Sequence, residues 1–327
     1  MIEWTGFVWN IMLGCSKCSP GCKFCYAVNE VARERCEAHK GLAVLKPIAN
    51  WNGNLRFRPE SLSQPLHRKS PTKWFVNSLS DYFHEHMPLE WQKAGLEVMR
   101  MADWHIFQVL TKRDQQLNRL LGNELNEFAS LPNVMWGVSV EDCKHGLPRI
   151  DALRESAARI KWLSIEPLLE DLGDLNLEGI DWVVAGGESG HQARPVKQEW
   201  ILAIKESCER QGVPFFFKQW GNWAPAVEPT KGRVHVWPDN TSSVHMHKKL
   251  AGRSLLNETH EGCFEFESLA GCPNKAECDA RLARCAKIAS SISVLDVDQF
   301  GNPMIEEADV FGPTSPIHQN SSTVKRH

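Results

Sequence analysis

Seven short apolar runs, at residues 5–10, 74–79, 104–110, 133–140, 160–165, 181–185 and 213–217, alternate with stretches whose apolar residues recur at helical spacing. The runs are rich in β-branched and aromatic residues and end in polar or turn residues, the pattern of strands buried on both faces. Between them, Pro88 opens a helix toward Met101, with Trp91, Leu96 and Met99 among its apolar positions. Leu117, Leu120, Leu121, Leu125 and Phe128 stripe the next helix. Ile150, Leu153 and Ala157 mark another, and Ile201, Ile204 and Cys208 a further one. All of these stripes read as core packing. Strands alternating with helices predict a parallel α/β fold, and six to seven units predict a partial or full TIM-like barrel.

The chain has 327 residues, enough for one large core or two modest ones. Its 42% hydrophobic and 24% charged residues are ordinary for a soluble globular protein. The net charge of −3 excludes a global basic field that would draw the chain to nucleic acid, while leaving room for local patches. No run approaches a membrane span, and the start MIEWTGFVWN lacks the basic-then-apolar signature of a signal peptide, so a cytoplasmic location without membrane partners is expected. In that setting eleven cysteines, an odd number, favour metal ligation over disulfides.

Four of those thiols, Cys15, Cys18, Cys22 and Cys25, crowd into GCSKCSPGCKFCYA directly after the first predicted strand. Cys18, Cys22 and Cys25 spell C-x3-C-x2-C, with Phe24 before the last thiol. A short loop of this spacing can set three thiolates on one face of a [4Fe–4S] cluster and leave the fourth iron without a protein ligand. An open iron can chelate S-adenosylmethionine (SAM). Electron transfer then splits the sulfonium to give a 5′-deoxyadenosyl radical, so the cofactor carries the hard chemistry. Zinc is the main alternative, but structural zinc sites usually separate their C-x2-C pairs by a dozen residues or more, and here only Ser19, Pro20 and Gly21 intervene.

The residues that follow the strands sharpen the expectation. Asn77, Ser78, Ser80 and Asp81 follow the second strand, and Thr111, Lys112 and Arg113 the third. Ser139, Glu141 and Asp142 follow the fourth; Ser164, Glu166 and Pro167 close the fifth. Gly186, Gly187, Glu188 and Ser189 follow the sixth, and Lys218, Gln219 and Trp220 the seventh. In a parallel barrel these ends converge on one face, where the active site sits. SAM-binding residues are therefore expected among Asn77, Ser78, Ser80, Ser139, Glu141, Glu166, Gly186, Gly187 and Glu188, with Glu141 and Ser139 toward the ribose. Glu141, Glu166 and Glu188 would form a carboxylate wall opposite the cysteine loop; in the alternative, each pairs with a base such as Arg113, Arg149 or Arg194 and holds loops. Lys112, Arg113, Arg194 and Lys218 are candidate phosphate contacts or plain surface charge. Asp81, His84, Glu85 and His86 are either a second metal site or polar loop residues.

The motifs W-N…GC…SPGC-x2-CYA, FVNSLSDYFHE, FQVLTKR, WGVSVED, SIEPLL, GGESG…ARP and FFFKQWG, in this order over about residues 4–260, resemble the phage and bacterial three-cysteine-motif family of uncharacterised, radical-SAM-like proteins. The resemblance implies a radical-SAM barrel and no particular substrate. It matches the family's three cysteines to Cys15, Cys22 and Cys25 and makes Cys18 an extra thiol, whereas loop geometry alone favours Cys18. Gly186–Glu188 is similar to the glycine-rich turn that contacts the methionine end of SAM in radical-SAM enzymes, although it lies on the sixth strand and not the second.

The expected organisation is a barrel over residues 1–223, an irregular part over 224–262, a cysteine-containing extension over 263–300 and a poorly ordered tail over 301–327. In the extension Cys263, Cys272, Cys278 and Cys285 could hold a second iron–sulfur cluster or zinc, or simply belong to a small helical tail. The function expected is a radical-SAM enzyme reduced by a donor such as flavodoxin or ferredoxin, acting on a nucleotide or nucleic acid. The alternative is a metal-stabilised, non-catalytic module that binds a partner protein.

Overall fold

The computed structural model describes residues 4–226, 233–266, 271 and 273–304. Along the chain lie β1 (Phe7–Trp9), α1 (Tyr26–Val31), β2 (Lys73–Val76), α2 (Leu89–Met101), β3 (Ile106–Thr111), α3 (Asp114–Gly122), β4 (Val134–Ser139), α4 (Leu147–Glu155), β5 (Ile160–Ile165), β6 (Trp182–Gly186), α5 (Gln198–Gln211), β7 (Phe215–Gln219) and α6 (Lys275–Ser291). The seven strands form one parallel sheet whose order follows the chain, and its edge strands β1 and β7 do not pair. This is the parallel α/β architecture expected from the sequence, in the form of an open half-barrel.

Side chains alternate across the sheet. Trp74 and Val76 on β2, and Val134, Trp136 and Val138 on β4, pack outward against the helices. Phe75, Met135, Trp162 and Trp182 point the other way, into the concavity. Trp4 shows how strongly the sheet curls. Its indole lies 4.9 Å from the Phe75 ring, 5.1 Å from that of Trp162 and 6.1 Å from that of Trp182, centre to centre. In a flat sheet β2 and β5 would stand about 14 Å apart, and β2 and β6 about 19 Å. Curling brings all three rings onto one tryptophan. Gly137 on β4 makes room: a Cβ there would sit 2.4 Å from the Trp162 indole.

Two departures from the sequence reading have local causes. The stripe from Leu117 to Phe128 is two helices, because α3 stops at Gly122 and a short second helix, Asn126–Ala129, follows. The C-terminal extension is not an appendage. α6 packs against α2 and buries Cys285 in the main core. Val297 pairs with Leu55 and is 1% exposed, Trp91 donates its indole N–H to the Val294 carbonyl, and Arg56 grips Asp296 with two nitrogens. Within 224–262, the strands Trp223–Pro225, Val234–Val236 and Ser242–His245 form a small antiparallel sheet. Residues 305–327, most of the expected tail, lie outside the described residues.

Candidate cofactor site at the barrel mouth

The cysteine loop leaves the strand Met12–Leu13 through Gly14, whose φ of +93° and backbone contact with Asn54 leave no space for a side chain. Pro20–Cys22 form one tight 3₁₀ turn, and Cys25 caps α1. Groups from the ends of the strands then fasten the loop across the mouth. Arg113 donates to the Ser16 carbonyl at 3.1 Å and to its hydroxyl at 2.8 Å, while pairing with Asp81 and Glu85, each at 2.9 Å. His84 Nε2 lies 2.8 Å from the same hydroxyl. Arg194 reaches the Pro20 carbonyl at 3.1 Å. Glu141 lies beneath, fully buried. It accepts from Ser19 at 2.8 Å, Lys112 at 2.7 Å and Arg149 at 2.5 Å. Gly21 lies so close that a Cβ would come within 2.4 Å of the Glu141 carboxylate.

Between loop and strand ends is a cavity of about 260 Å³. Cys15, Cys22 and Cys25 line one side; Ser139, Ser164, Glu166, Glu188, Lys218 and Gln219 line the other, and Trp4, Phe75 and Leu110 form its apolar floor. Cys18 does not line it. That residue is exposed, its Sγ 4.0 Å from Cys22 Sγ and 3.9 Å from an Arg113 nitrogen. Three residues of the lining carry a buried polar atom, Trp4 Nε1, Asn77 Nδ2 and Gln219 Oε1, that finds no hydrogen-bond partner among the described residues. Asn77 cannot turn to hide its amide, because its Oδ1 already accepts from the Ile11 N–H at 3.2 Å and its φ is +57°. Native interiors rarely leave such groups unmet, so a polar ligand suits this space.

The thiols sit in contrasting fields. A hydrogen bond from Cys18, opposed by burial and helped by Lys112, pulls Cys22 down to about 5. Burial pushes Cys15 up to about 12 and raises Cys25 as well. Thiolates there need a nearby positive centre, which a bound metal supplies.

All-thiolate donors can serve one zinc ion or an iron–sulfur cluster. A tetrahedral zinc with bonds of about 2.3 Å gathers its thiolates within about 4 Å of one another. Among the described residues no three His, Cys, Asp or Glu side chains are grouped to hold a single ion. A cluster gives each thiolate a different iron and spreads the ligands around a cavity. Three thiols around the cavity fit that demand.

Other predicted sites land as follows. Ser78, Ser80, Gly187 and Glu188 reach the cavity with Asn77, Ser139 and Glu166; Gly186 and Glu141 do not line it. The three glutamates are each neutralised, Glu141 by Lys112 and Arg149, Glu166 by Lys218 at 3.0 Å, and Glu188 by Arg194. Of the candidates for phosphate contacts or plain surface charge, Arg113 and Arg194 hold the loop, Lys112 pairs with Glu141 and Lys218 with Glu166. Asp81 is saturated by Arg113, Thr111 and the N–H groups of Phe83 and Lys112, so the Asp81–His86 cluster braces the loop. In the extension, Cys263 is exposed beside the start of β7, whereas Cys285 is buried in the main core on α6, which packs against α2. The structure does not bring these two together; Cys272 lies outside the described residues. The sequence reading missed the anchoring role of Ser16 and the cavity walls Trp51 and Tyr26.

A family model described as Protein of unknown function (DUF5131) matches residues 1–263. A comparison with curated proteins found no match. Among solved structures, the chain is similar to a double mutant of spore photoproduct lyase with bound AdoMet and dinucleoside spore photoproduct, at 11% identity and a TM-score of 0.37, over 75% of this chain and 69% of that chain. A single-site mutant of the same lyase aligns at 13% identity and a TM-score of 0.38, with the same coverage. No helix among the described residues is long and apolar enough to cross a membrane.

Proposed function

The chain belongs to the DUF5131 family, and from that premise we propose that it is a radical-SAM-type enzyme with a [4Fe–4S] cluster held by Cys15, Cys22 and Cys25. One observation carries the reading: these three thiols, and not Cys18, line a cavity at the C-terminal mouth of a parallel half-barrel. They are also the cysteines matched by the resemblance to the three-cysteine-motif family. The bound cluster supplies an electron that cleaves the SAM sulfonium. The chain's own residues bind and orient: Asn77 and Gln219, with an unmet donor and acceptor, and Ser139, Ser164 and Ser189, with their hydroxyls, are the polar residues of its wall. Trp4, Phe75 and Leu110 keep water from the floor, which strengthens each polar contact above it. The substrate class put forward is a nucleotide or nucleic acid.

Anaerobic reconstitution of single serine variants tests the assignment. The wild type is expected to bind about four irons per chain, and Cys18→Ser to keep them. Cys15→Ser, Cys22→Ser and Cys25→Ser are expected to lose the cluster. SAM should then alter the spin-resonance spectrum of the reduced wild type and release 5′-deoxyadenosine. Stoichiometric zinc without iron, or loss of iron in Cys18→Ser with retention in Cys15→Ser, would refute this ligand set.

A further inference from the structure

The segment that covers the thiols differs from the rest of the chain in charge and in surface. Residues 15–51 contain Lys17, Lys23, Arg33, Arg35, Lys40 and Lys46 against Glu30, Glu34 and Glu37, a local charge of +3 in a chain of −3. Lys17, Lys23 and Lys46 are matched by no carboxylate among the described residues. The same segment exposes large apolar side chains: Tyr26 is 57% exposed, Val44 51%, Leu45 47% and Ile48 61%. Tyr26 donates its hydroxyl to the Ser78 carbonyl at 2.9 Å and lines both this surface and the mouth of the cavity. Ile48 and Tyr26 share the wall of one groove of about 540 Å³ with Lys23 and Arg33.

The opposite side of this patch rests on the thiols. The hairpin Ala43–Val44 with Asn50–Trp51 packs its inner residues, Ala43, Ala49 and Trp51, with Ala27, Val28 and Val31 of α1, and Cys15 and Cys25 pack against that cluster. Only a thin layer therefore separates the exposed patch from two of the three proposed ligands. Arg33 and Arg35 pair with Glu30, and Lys40 with Glu37, which leaves Lys17, Lys23 and Lys46 as the uncompensated charges. An apolar surface beside a net positive charge suits the docking of an oppositely charged protein.

Building on the proposed function, we infer that the surface carrying Tyr26, Val44, Leu45 and Ile48, with the unmatched Lys17, Lys23 and Lys46 of the same segment, docks an acidic electron-carrier protein. One electron leaves the reduced carrier and enters the cysteine-held site, so one partner is oxidised and the other reduced by the same count, and no bond forms or breaks. Three exposed aliphatic residues with a single aromatic favour a protein over a nucleic acid, which needs stacking platforms.

The test uses the iron-loaded full chain and reduced flavodoxin as the probe, with Lys40→Glu/Lys46→Glu and Ile48→Ser as variants. Stopped-flow bleaching at low salt is expected to slow about tenfold or more in the charge variant and to fall steeply with salt in the wild type. Bleaching by dithionite should be equal in all three. Carbodiimide cross-linking of flavodoxin to the metal-free chain should weaken in parallel. Equal flavodoxin rates in all proteins that dithionite bleaches would overturn the docking surface alone, as would loss of oligonucleotide binding with unchanged reduction. A wild type that takes up no iron would overturn the cluster reading, and this inference with it.

Discussion

Replacing Glu141 with Gln keeps shape and volume and removes one charge from beneath the cysteine loop. Wild-type Glu141 is 0% exposed and balances two cations, Lys112 at 2.7 Å and Arg149 at 2.5 Å. Breaking a buried pair from one side costs about 3–5 kcal/mol, because the partner charge stays buried. Two features reduce that here: the Lys112 side chain is 19% exposed, and Arg149 keeps the Ser139 carbonyl and a longer contact with Asp114 at 3.7 Å. We expect a loss of about 2–4 kcal/mol, which at a urea dependence of about 3 kcal/mol per molar lowers the midpoint by roughly 1 M. Burial alone would raise the Glu141 carboxyl, but Lys112 and Arg149 hold it below its ordinary 4.5. A depressed carboxyl stabilises the fold fully above that value and loses the contribution as pH falls through its folded value. The gap between wild type and Glu141→Gln should therefore be widest near neutrality and shrink below about pH 4.5. Urea titrations followed by circular dichroism at several pH values measure it. A midpoint drop under about 0.3 M at pH 7, or a gap that widens in acid, would refute the clamp argument.

Other perturbations probe the frame. Gly137→Ala puts a Cβ where the Trp162 indole lies at 2.4 Å, so unfolding should become easier by about 1–3 kcal/mol, readable as a lowered thermal midpoint. Truncation from residue 269 removes α6 and the Asp296–Val297 strand; soluble yield and thermal midpoint should both fall, whereas truncation after residue 304 should leave both unchanged. A stable 1–268 chain would show that the extension's packing contributes little.

The strands were legible in the sequence because burial on both faces writes itself locally, as short apolar runs; each of the seven lies within three residues of its expected position. The polar residues at their ends were legible for the same reason, since a parallel sheet puts every strand's C-terminus on one side. Residues 31–72 carry no comparable period, and the strand Leu55–Phe57 among them is held by partners far along the chain: Leu55 by Val297, Phe57 by Met12. The four thiols read as a metal site in the sequence, where spacing favours Cys18 and the family resemblance Cys15. Which of the two lines the cavity depends on the way the loop faces, set by Arg113, Arg194 and Glu141 reaching it from strand ends. Of the expected carboxylate wall, Glu166 and Glu188 line the cavity opposite the thiols, Glu141 does not, and each of the three is paired with a base. A sequence shows that Glu141, Glu166 and Glu188 follow successive strands, but not that Lys112, Arg149, Lys218 and Arg194 arrive beside them. Periodicity is a property of neighbours in the chain and fixes the elements; charge pairing and loop orientation are properties of neighbours in space, and only the folded sheet brings those together.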